Sequence, residues 1–106
     1  MKRLFPSTQY KKDYKRYRNN AHKKAALKDF LRILENEQPI PPIYKPHMLV
    51  GNYQGCMECH IEGDFLLIWI DEVNDIIELV RLGSHSELFG KLPDGKHQTI
   101  TKDNLT

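Results

Sequence analysis

The first third of the chain carries a hydrophobic pattern with the period of a helix. Tyrosines recur at i, i+4 and i+7, as Tyr10, Tyr14 and Tyr17, with lysines and arginines at most of the positions between them. This spacing predicts a helix that begins after an N-cap at Ser7 or Thr8. Aromatic residues at helical spacing are more often core than ligand-binding, so we expect this stripe to pack against the rest of the protein.

A second helical pattern follows the pair Asn19-Asn20, which interrupts the first. Over residues 21–37 the apolar side chains share one face, formed by Leu27, Phe30, Leu31 and Leu34. The two patterns together predict a helical hairpin. Residues 2–5 before it are a candidate for a short first strand.

The period changes from 3.6 to 2 beyond a proline-rich connector at residues 38–46. The alternation predicts three strands joined by polar turns, at residues 56–61, 65–71 and 76–82. Residues 47–50 are a candidate start of the sheet, and residues 84–89 fit either a short helical turn or a strand. Helices followed by a meander are typical of an α+β fold, here an N-terminal helical hairpin packed on one face of a small antiparallel β-sheet.

Length and composition indicate one ordinary globular domain. The chain has 106 residues, 40% of them hydrophobic and 28% charged. We place the domain at residues 1–90 and a polar tail at residues 91–106. Polar residues stand where a signal peptide needs an apolar segment, and no apolar run approaches the roughly 18 residues of a membrane span. We therefore expect a cytoplasmic protein that does not bind membranes and whose two cysteines are thiols.

The string Cys56-Met57-Glu58-Cys59-His60 matches the C-x-x-C-H pattern of haem attachment. It lies on a predicted strand, where alternate side chains point to opposite faces. Cys56 and Cys59 then face opposite ways and cannot hold one haem or metal ion together. We expect no haem, metal or other cofactor, with Cys59 in the core and Glu58 and His60 on the face opposite the apolar one.

Charge is distributed unevenly along the chain. Residues 1–32 hold eleven lysines and arginines against two aspartates, a net +9, whereas residues 33–106 hold five against twelve acids, a net −7. A positive block of this density is suited to binding phosphates, because each contact releases counterions. A solvated helix face rich in lysine would give the same pattern, and charge alone leaves both interpretations open.

The C-terminal two thirds contain the residue types that a ribonuclease uses. Cleavage through the 2′-hydroxyl needs a base, an acid and a cation beside the phosphate. Histidine suits both proton transfers, since its unperturbed pKa is roughly 6.5. The candidates are His47, His60, Asp64, Arg81 and His85. Each also has an ordinary structural explanation, and spacing alone does not establish that they converge.

Two blocks of sequence carry a family resemblance. The strings IYKPHMLVGNYQGCMECHIEGDFLLIWI and ELVRLGSHSELFG resemble the YafQ branch of the RelE-like toxins of bacterial toxin–antitoxin pairs. Members of that branch are ribosome-dependent mRNA endoribonucleases with the RelE-like α+β fold. The similarity runs from about Ser7 to Gly90. Relatives usually carry arginine where Met57 stands, which puts efficiency and codon preference in question more than reaction type.

The resemblance implies specific roles for individual residues. His47, His60, Asp64 and His85 match the acid and base positions of the family, and Arg81 matches the residue that stabilises charge on the phosphorane. We expect His85 to be the principal acid. Aromatic residues that position RNA are expected at Phe89 and Phe65. Contacts with rRNA phosphates are expected from the basic block, at Lys11, Lys12, Lys15, Arg16, Arg18, Lys23 and Lys24.

The resemblance also implies partners: the ribosome with its mRNA, and a cognate antitoxin protein that holds the toxin in check. Two other functions remain open. The ParE-like branch shares the fold, inhibits DNA gyrase and lacks a nuclease site. A module that binds RNA or the ribosome without catalysis would keep the fold and the basic block. The histidines together with Arg81 favour the nuclease.

Overall fold

A computed structural model describes residues 1–72 and 74–90 of the chain. Its helices and strands, in chain order, are β1 (Arg3–Pro6), α1 (Thr8–Lys15), α2 (Ala21–Glu35), β2 (His47–Met48), β3 (Met57–Glu62), β4 (Phe65–Glu72), β5 (Ile76–Gly83) and α3 (His85–Phe89). The tail expected at residues 91–106 lies outside the described residues. Within the described ranges, none of the helices combines the length and apolar character that crossing a membrane requires.

Both long helices begin where the sequence supplies a side-chain cap. The Ser7 hydroxyl accepts a hydrogen bond from the backbone N–H of Tyr10 at 3.0 Å, which selects Ser7 over Thr8 as the first N-cap. The Asn20 side chain accepts from the N–H of Lys23 at 3.0 Å. These bonds satisfy amide groups that the first helical turn leaves unpaired. The second helix ends at Glu35, two residues before the predicted end.

The strands form one five-stranded sheet in the order β1-β5-β4-β3-β2. The pairs β2–β3, β3–β4 and β4–β5 are antiparallel, as the meander predicted. β1 instead pairs with β5 in parallel, a feature of this edge that the prediction of a small antiparallel sheet did not include. A parallel pair needs a long crossover connection, and here the whole segment from α1 to β4 supplies it.

The sheet is covered on both faces, which explains why β4 is apolar at successive positions over residues 65–70 instead of alternating as predicted. On the helix face, Leu27 and Phe30 of α2 pack with Trp69 in the larger core. On the opposite face, Leu66 and Ile68 belong to a smaller cluster. This cluster also contains Leu49, Cys56 and Leu88. We call the two sides the helix face and the site face, because the candidate site lies on the second.

The cysteine and tyrosine predictions are confirmed. Cys59 is in the helix-face core and Cys56 is in the site-face cluster, and both are free thiols. Tyr10 is buried in the helix-face core, and Tyr14 and Tyr17 pack against that core. The tyrosine stripe is therefore structural.

Candidate active site

Three histidines from separate elements form a row on the site face. His47 begins β2, His60 is in β3, and His85 is the first residue of α3. The ring centroids are 6.1 Å apart for His47 and His60, and 5.6 Å apart for His60 and His85. The sheet order explains the row, since β2 pairs directly with β3 and α3 follows β5 without a long loop. The structure thus brings the predicted histidines together.

Asp64 orients His85. It lies in the turn between β3 and β4, and its Oδ1 accepts a hydrogen bond from the backbone N–H of His85 at 2.9 Å. The same oxygen lies 2.6 Å from His85 Nδ1. Burial opposes the charge on Asp64, but the bonds from His85 outweigh it and lower the pKa of Asp64. An ionised carboxylate only accepts, so Nδ1 carries a proton and Nε2 is the ring nitrogen left for chemistry.

His60 lies in the middle of the row and is half-buried. Burial lowers its pKa, and the neighbouring His85 and His47 lower it further. These effects favour the neutral ring, because the charged ring would lose hydration and face like charges. A neutral imidazole has an unprotonated nitrogen that accepts a proton. His60 is therefore suited to the role of base.

Glu58 is a site residue that the sequence prediction left out of the catalytic set. Its side chain is 1% exposed, and Oε1 lies 2.9 Å from His47 Nε2 without hydrogen-bond geometry. Burial raises the pKa of Glu58, although His47 acts in the opposite direction. His47 Nδ1 lies 2.7 Å from the carbonyl oxygen of Lys45 and must donate to it. Glu58 and the Nε2 edge of His47 are therefore in close contact without a hydrogen bond between them. The strand alternation, which puts Glu58 on the face of His60, was the available signal.

Arg81 is held by a buried carboxylate from the other half of the chain. Its Nε donates to Asp13 Oδ2 at 2.8 Å, and Nη2 donates to Asp13 Oδ1 at 3.3 Å. Nη1 donates to the Tyr53 hydroxyl at 2.9 Å. The bond to Asp13 is the main cause that raises the pKa of Arg81, so this side chain is a permanent cation. Of the five N–H donors of a guanidinium, these contacts use three and leave two for another ligand.

The two predicted RNA-positioning aromatic residues have different environments. The Phe89 ring lies 6.2 Å from His85 and 5.7 Å from Tyr53, at the rim of the site. Phe65 is 1% exposed in the helix-face core, where Tyr17 packs on it at 4.7 Å. The Lys23 ammonium also lies over its ring, at 5.2 Å. Phe65 therefore has no free ring face for RNA, and its burial contradicts the predicted role.

The basic block is carried by α1, α2 and the turn between them. Most of the predicted phosphate-binding residues are exposed, namely Lys11, Lys12, Lys15, Arg16, Arg18 and Lys24. Lys23 is half-buried and lies 3.7 Å from Glu62, in addition to its contact with Phe65. The block is thus a solvent-facing surface, except that Lys23 packs against the sheet through Glu62 and Phe65.

The site also contains a set of donors that fits a metal ion. Glu58, His60 and His85 each offer one ligand atom, and these atoms lie within 4.8 Å of one another. Imidazole and carboxylate together suit Cu²⁺ or Zn²⁺. The carboxylate oxygens of Glu58 have no hydrogen-bond partner among the described residues, which fits the same ligand role. The prediction of a metal-free protein did not include this donor set.

Comparison with known proteins gives consistent matches over the same residues. The family model described as "Bacterial toxin of type II toxin-antitoxin system, YafQ" matches residues 2–90. The mRNA interferase toxin YafQ of Escherichia coli K12 is 34% identical over 85 residues, which is 79% of this chain and 91% of that protein.

Solved structures with similar folds include a metal-bound toxin from Helicobacter pylori, 38% identical with a TM-score of 0.75. The match covers 84% of this chain and 100% of the toxin. YafQ in the E. coli DinJ-YafQ complex is 30% identical with a TM-score of 0.73, over 85% of this chain and 100% of that one. From the family match, the curated relative and the shared fold, the chain belongs to the YafQ family of type II toxin–antitoxin toxins.

Proposed function

We propose that this protein is an mRNA interferase, an endoribonuclease that cuts message on the ribosome and is restrained by a cognate antitoxin. The observation that supports this most directly is the row of His47, His60 and His85 on one face of the sheet. Asp64 holds His85 on one side of the row, and Glu58 lies beside His47 on the other. A curated relative, YafQ of E. coli K12, is named as an mRNA interferase.

The proposed reaction is transfer of a phosphate to the adjacent 2′-oxygen. His60 takes the proton from the 2′-hydroxyl, the oxygen attacks phosphorus, and the bond to the 5′-oxygen breaks. His85 gives a proton to the departing oxygen, leaving a 2′,3′-cyclic phosphate and a 5′-hydroxyl. The two remaining donors of Arg81 bind the phosphate oxygens as negative charge accumulates on them.

Glu58 and His47 complete this assignment. The buried carboxylate of Glu58 lies 2.9 Å from His47 Nε2, beside the proposed base. We assign Glu58 and His47 to holding the substrate at this end of the row, and Phe89 to packing on a nucleotide at the other end. Phe89 is placed for this by its contacts with His85 and Tyr53.

Docking on the ribosome is assigned to the exposed basic block. Lys11, Lys12 and Lys15 lie on α1, and Lys24 lies on α2. Salt-dependent contacts with rRNA phosphates would follow from this charge. The DinJ-YafQ complexes of E. coli support an antitoxin as the second partner. With this role we also propose a cytoplasmic location, because the proposed substrate is message on the ribosome.

In this proposal metal ions compete with protons for the side chains of the site. Each step above uses a proton donor, a proton acceptor or a cation of the chain. A Cu²⁺ or Zn²⁺ ion on Glu58, His60 and His85 would occupy the nitrogen atoms that move protons. We therefore propose metal-independent cleavage that such an ion inhibits, and the metal-bound H. pylori toxin makes the ion worth testing.

The test is cleavage of a defined message in a translating extract, with 5′ ends mapped by primer extension. We expect in-frame cuts with the wild type, whether or not the purified toxin is stripped with EDTA and desalted before it is added, and strongly reduced cutting with His85→Ala or Arg81→Ala. The matched control is His22→Ala, which removes an exposed histidine on α2 outside the row. This control should cut like the wild type.

Other results would identify the rival functions. Intact message together with inhibited gyrase supercoiling would point to ParE-like activity. Intact message with the toxin bound to ribosomes would point to a non-catalytic binding module. Cleavage that is lost when the purified toxin is stripped with EDTA and that Zn²⁺ or Cu²⁺ restores would contradict the metal-independent mechanism while leaving the nuclease assignment in place.

A further inference from the structure

Asp13 is a carboxylate with no exposed surface, and it lies on α1, the helix of the basic block. Besides the two bonds from Arg81, its Oδ2 accepts from the backbone N–H of Leu82 at 3.0 Å. Its Oδ1 accepts from the Gln9 amide at 3.2 Å. Asp13 is thus the point at which the first helix meets the last strand.

Part of this arrangement is explained by the fold. β1 pairs with β5 only as far as Leu79, so β5 has an unpaired edge beyond that residue. The hydroxyl of Ser7 donates to the carbonyl oxygen of Val80 at 3.0 Å, and Asp13 accepts from Leu82. These contacts close the edge. A neutral acceptor would serve equally well for the backbone N–H, so edge closure does not require a charge.

The need for a negative charge on Asp13 is explained by its pairing with Arg81. Asp13 takes Nε and Nη2 of the guanidinium together, which fixes the plane of the group as well as its position. Tyr53 takes Nη1 and removes the remaining rotation. Burial disfavours ionised Asp13, but the bonds from Arg81 and Leu82 outweigh it and lower its pKa. A buried carboxylate is costly unless it is paired, so the pair is a specific arrangement.

We propose that Asp13 is a positioning residue for the reaction, which aims the free donors of Arg81 at the scissile phosphate from the ribosome-docking helix. This inference rests on the proposed nuclease function. A guanidinium that pairs only with Tyr53 can turn out of line, and misplacement by about 1 Å costs on the order of 10²-fold in rate.

The test is a double-mutant cycle of Asp13→Asn and Arg81→Ala in single-turnover cleavage on programmed ribosomes. Asparagine keeps the size of the side chain and the acceptor for Leu82 but loses the charge. We expect Asp13→Asn to lower kcat about 10²-fold with KM changed far less. In the Arg81→Ala background the same change should have no further effect, because Asp13 acts through Arg81. Gln9→Ala is the matched control and should keep the wild-type kcat.

Two outcomes would overturn the inference while the nuclease function stands: wild-type kcat in Asp13→Asn, or losses that multiply in the double variant as for independent sites. A wild type that does not cut would instead refute the proposed function. If Asp13→Asn fails to fold, NMR of wild-type Arg81 replaces it. Slow solvent exchange at Nε–H is expected for a guanidinium held by Asp13, and rapid exchange would overturn the inference.

Discussion

The two faces of the sheet are both buried, but by different chemistry. The helix face is covered by α2 with apolar side chains such as Phe30 and Leu27, which are 0% and 3% exposed. The site face has a smaller apolar cluster next to three histidines and the buried carboxylate of Glu58. Burial of apolar area stabilises a fold, whereas a buried carboxylate without hydrogen bonds costs stability. The helix face therefore supports the fold, whereas the buried carboxylate of the site face lowers stability, as expected if this face carries the proposed active site.

The largest effect expected from this division is on catalysis. His85→Ala removes the proposed acid, and loss of a proton donor lowers the rate about 10²- to 10⁴-fold. Stability should change little, because the side chain is 37% exposed. Single-turnover cleavage and thermal unfolding measure the two quantities on one preparation. A large drop in melting temperature would show that His85 also stabilises the fold, which would contradict the division of roles between the two faces.

The converse change is Phe30→Ala on the helix face. Phe30 is fully buried between Tyr44 and Trp69, with ring centroids at 4.9 and 5.5 Å. Removing a buried phenylalanine should lower the free energy of unfolding by about 3–5 kcal/mol, measured by urea denaturation. The fraction that remains folded should cleave at the wild-type rate. A changed kcat per folded molecule would show that the helix face reaches the chemistry.

A third, smaller effect comes from Glu58 on the site face. Burial raises the pKa of Glu58 above its ordinary value of 4.5, so the unfolded chain releases this proton at lower pH than the folded chain does. The contribution of Glu58 to stability is then fully present below about pH 4.5 and is lost as pH rises through the folded pKa. Glu58→Gln removes this loss.

The measurement is unfolding free energy against pH for Glu58→Gln and the wild type. We expect the variant to be more stable by about 1–3 kcal/mol near neutral pH, with the difference vanishing in acid. Glu72→Gln, at an exposed position on β4, is the matched control and should show no such pH dependence. A difference that grows toward acid would mean that the pKa of Glu58 is lowered instead.

Much of the fold followed from local pattern. The helices, the three central strands and their turns were predictable because each depends on side-chain period and on caps such as Ser7 and Asn20. The parallel pairing of β1 with β5 was not, since the register joins residues more than 70 positions apart, such as Arg3 and Ile76. Residues 84–89 were ambiguous because their helix has only five residues, fixed by a capping box from Ser84 and Glu87.

The candidate site divides in the same way. His47, His60, Asp64 and His85 could be chosen from residue type and family resemblance, and the structure brings them together. Asp13 could not, since it lies on a lysine-rich helix and meets Arg81 only through tertiary structure. Phe65 was misassigned because a residue at the start of a strand next to Asp64 can face either side, and the helix hairpin covers it. The sequence around a strand residue does not show which face of the sheet the helices will cover.

The smallest effect expected is a difference in reactivity between the two cysteines of the C-x-x-C-H string. Burial raises the pKa of the Cys59 thiol to about 12, with the charge of Glu58 adding to the shift. Burial also raises the pKa of Cys56, which is 9% exposed against 0% for Cys59. Because the thiolate is the reactive form, Cys56 should be alkylated by iodoacetamide first. The alkylation rate of Cys59 should be lower by more than about tenfold.

Mass spectrometry of peptides from the native protein over time gives both rates, and the chain unfolded in urea is the control in which the rates should converge. The order follows from the path of the chain, because Cys56 lies just before β3 in the site-face cluster, whereas Cys59 lies within β3 in the helix-face core. Equal native rates would mean that both thiols share one environment. The assignment of the two cysteines to opposite faces of the sheet would then be wrong. The other predictions start from the same division into two faces.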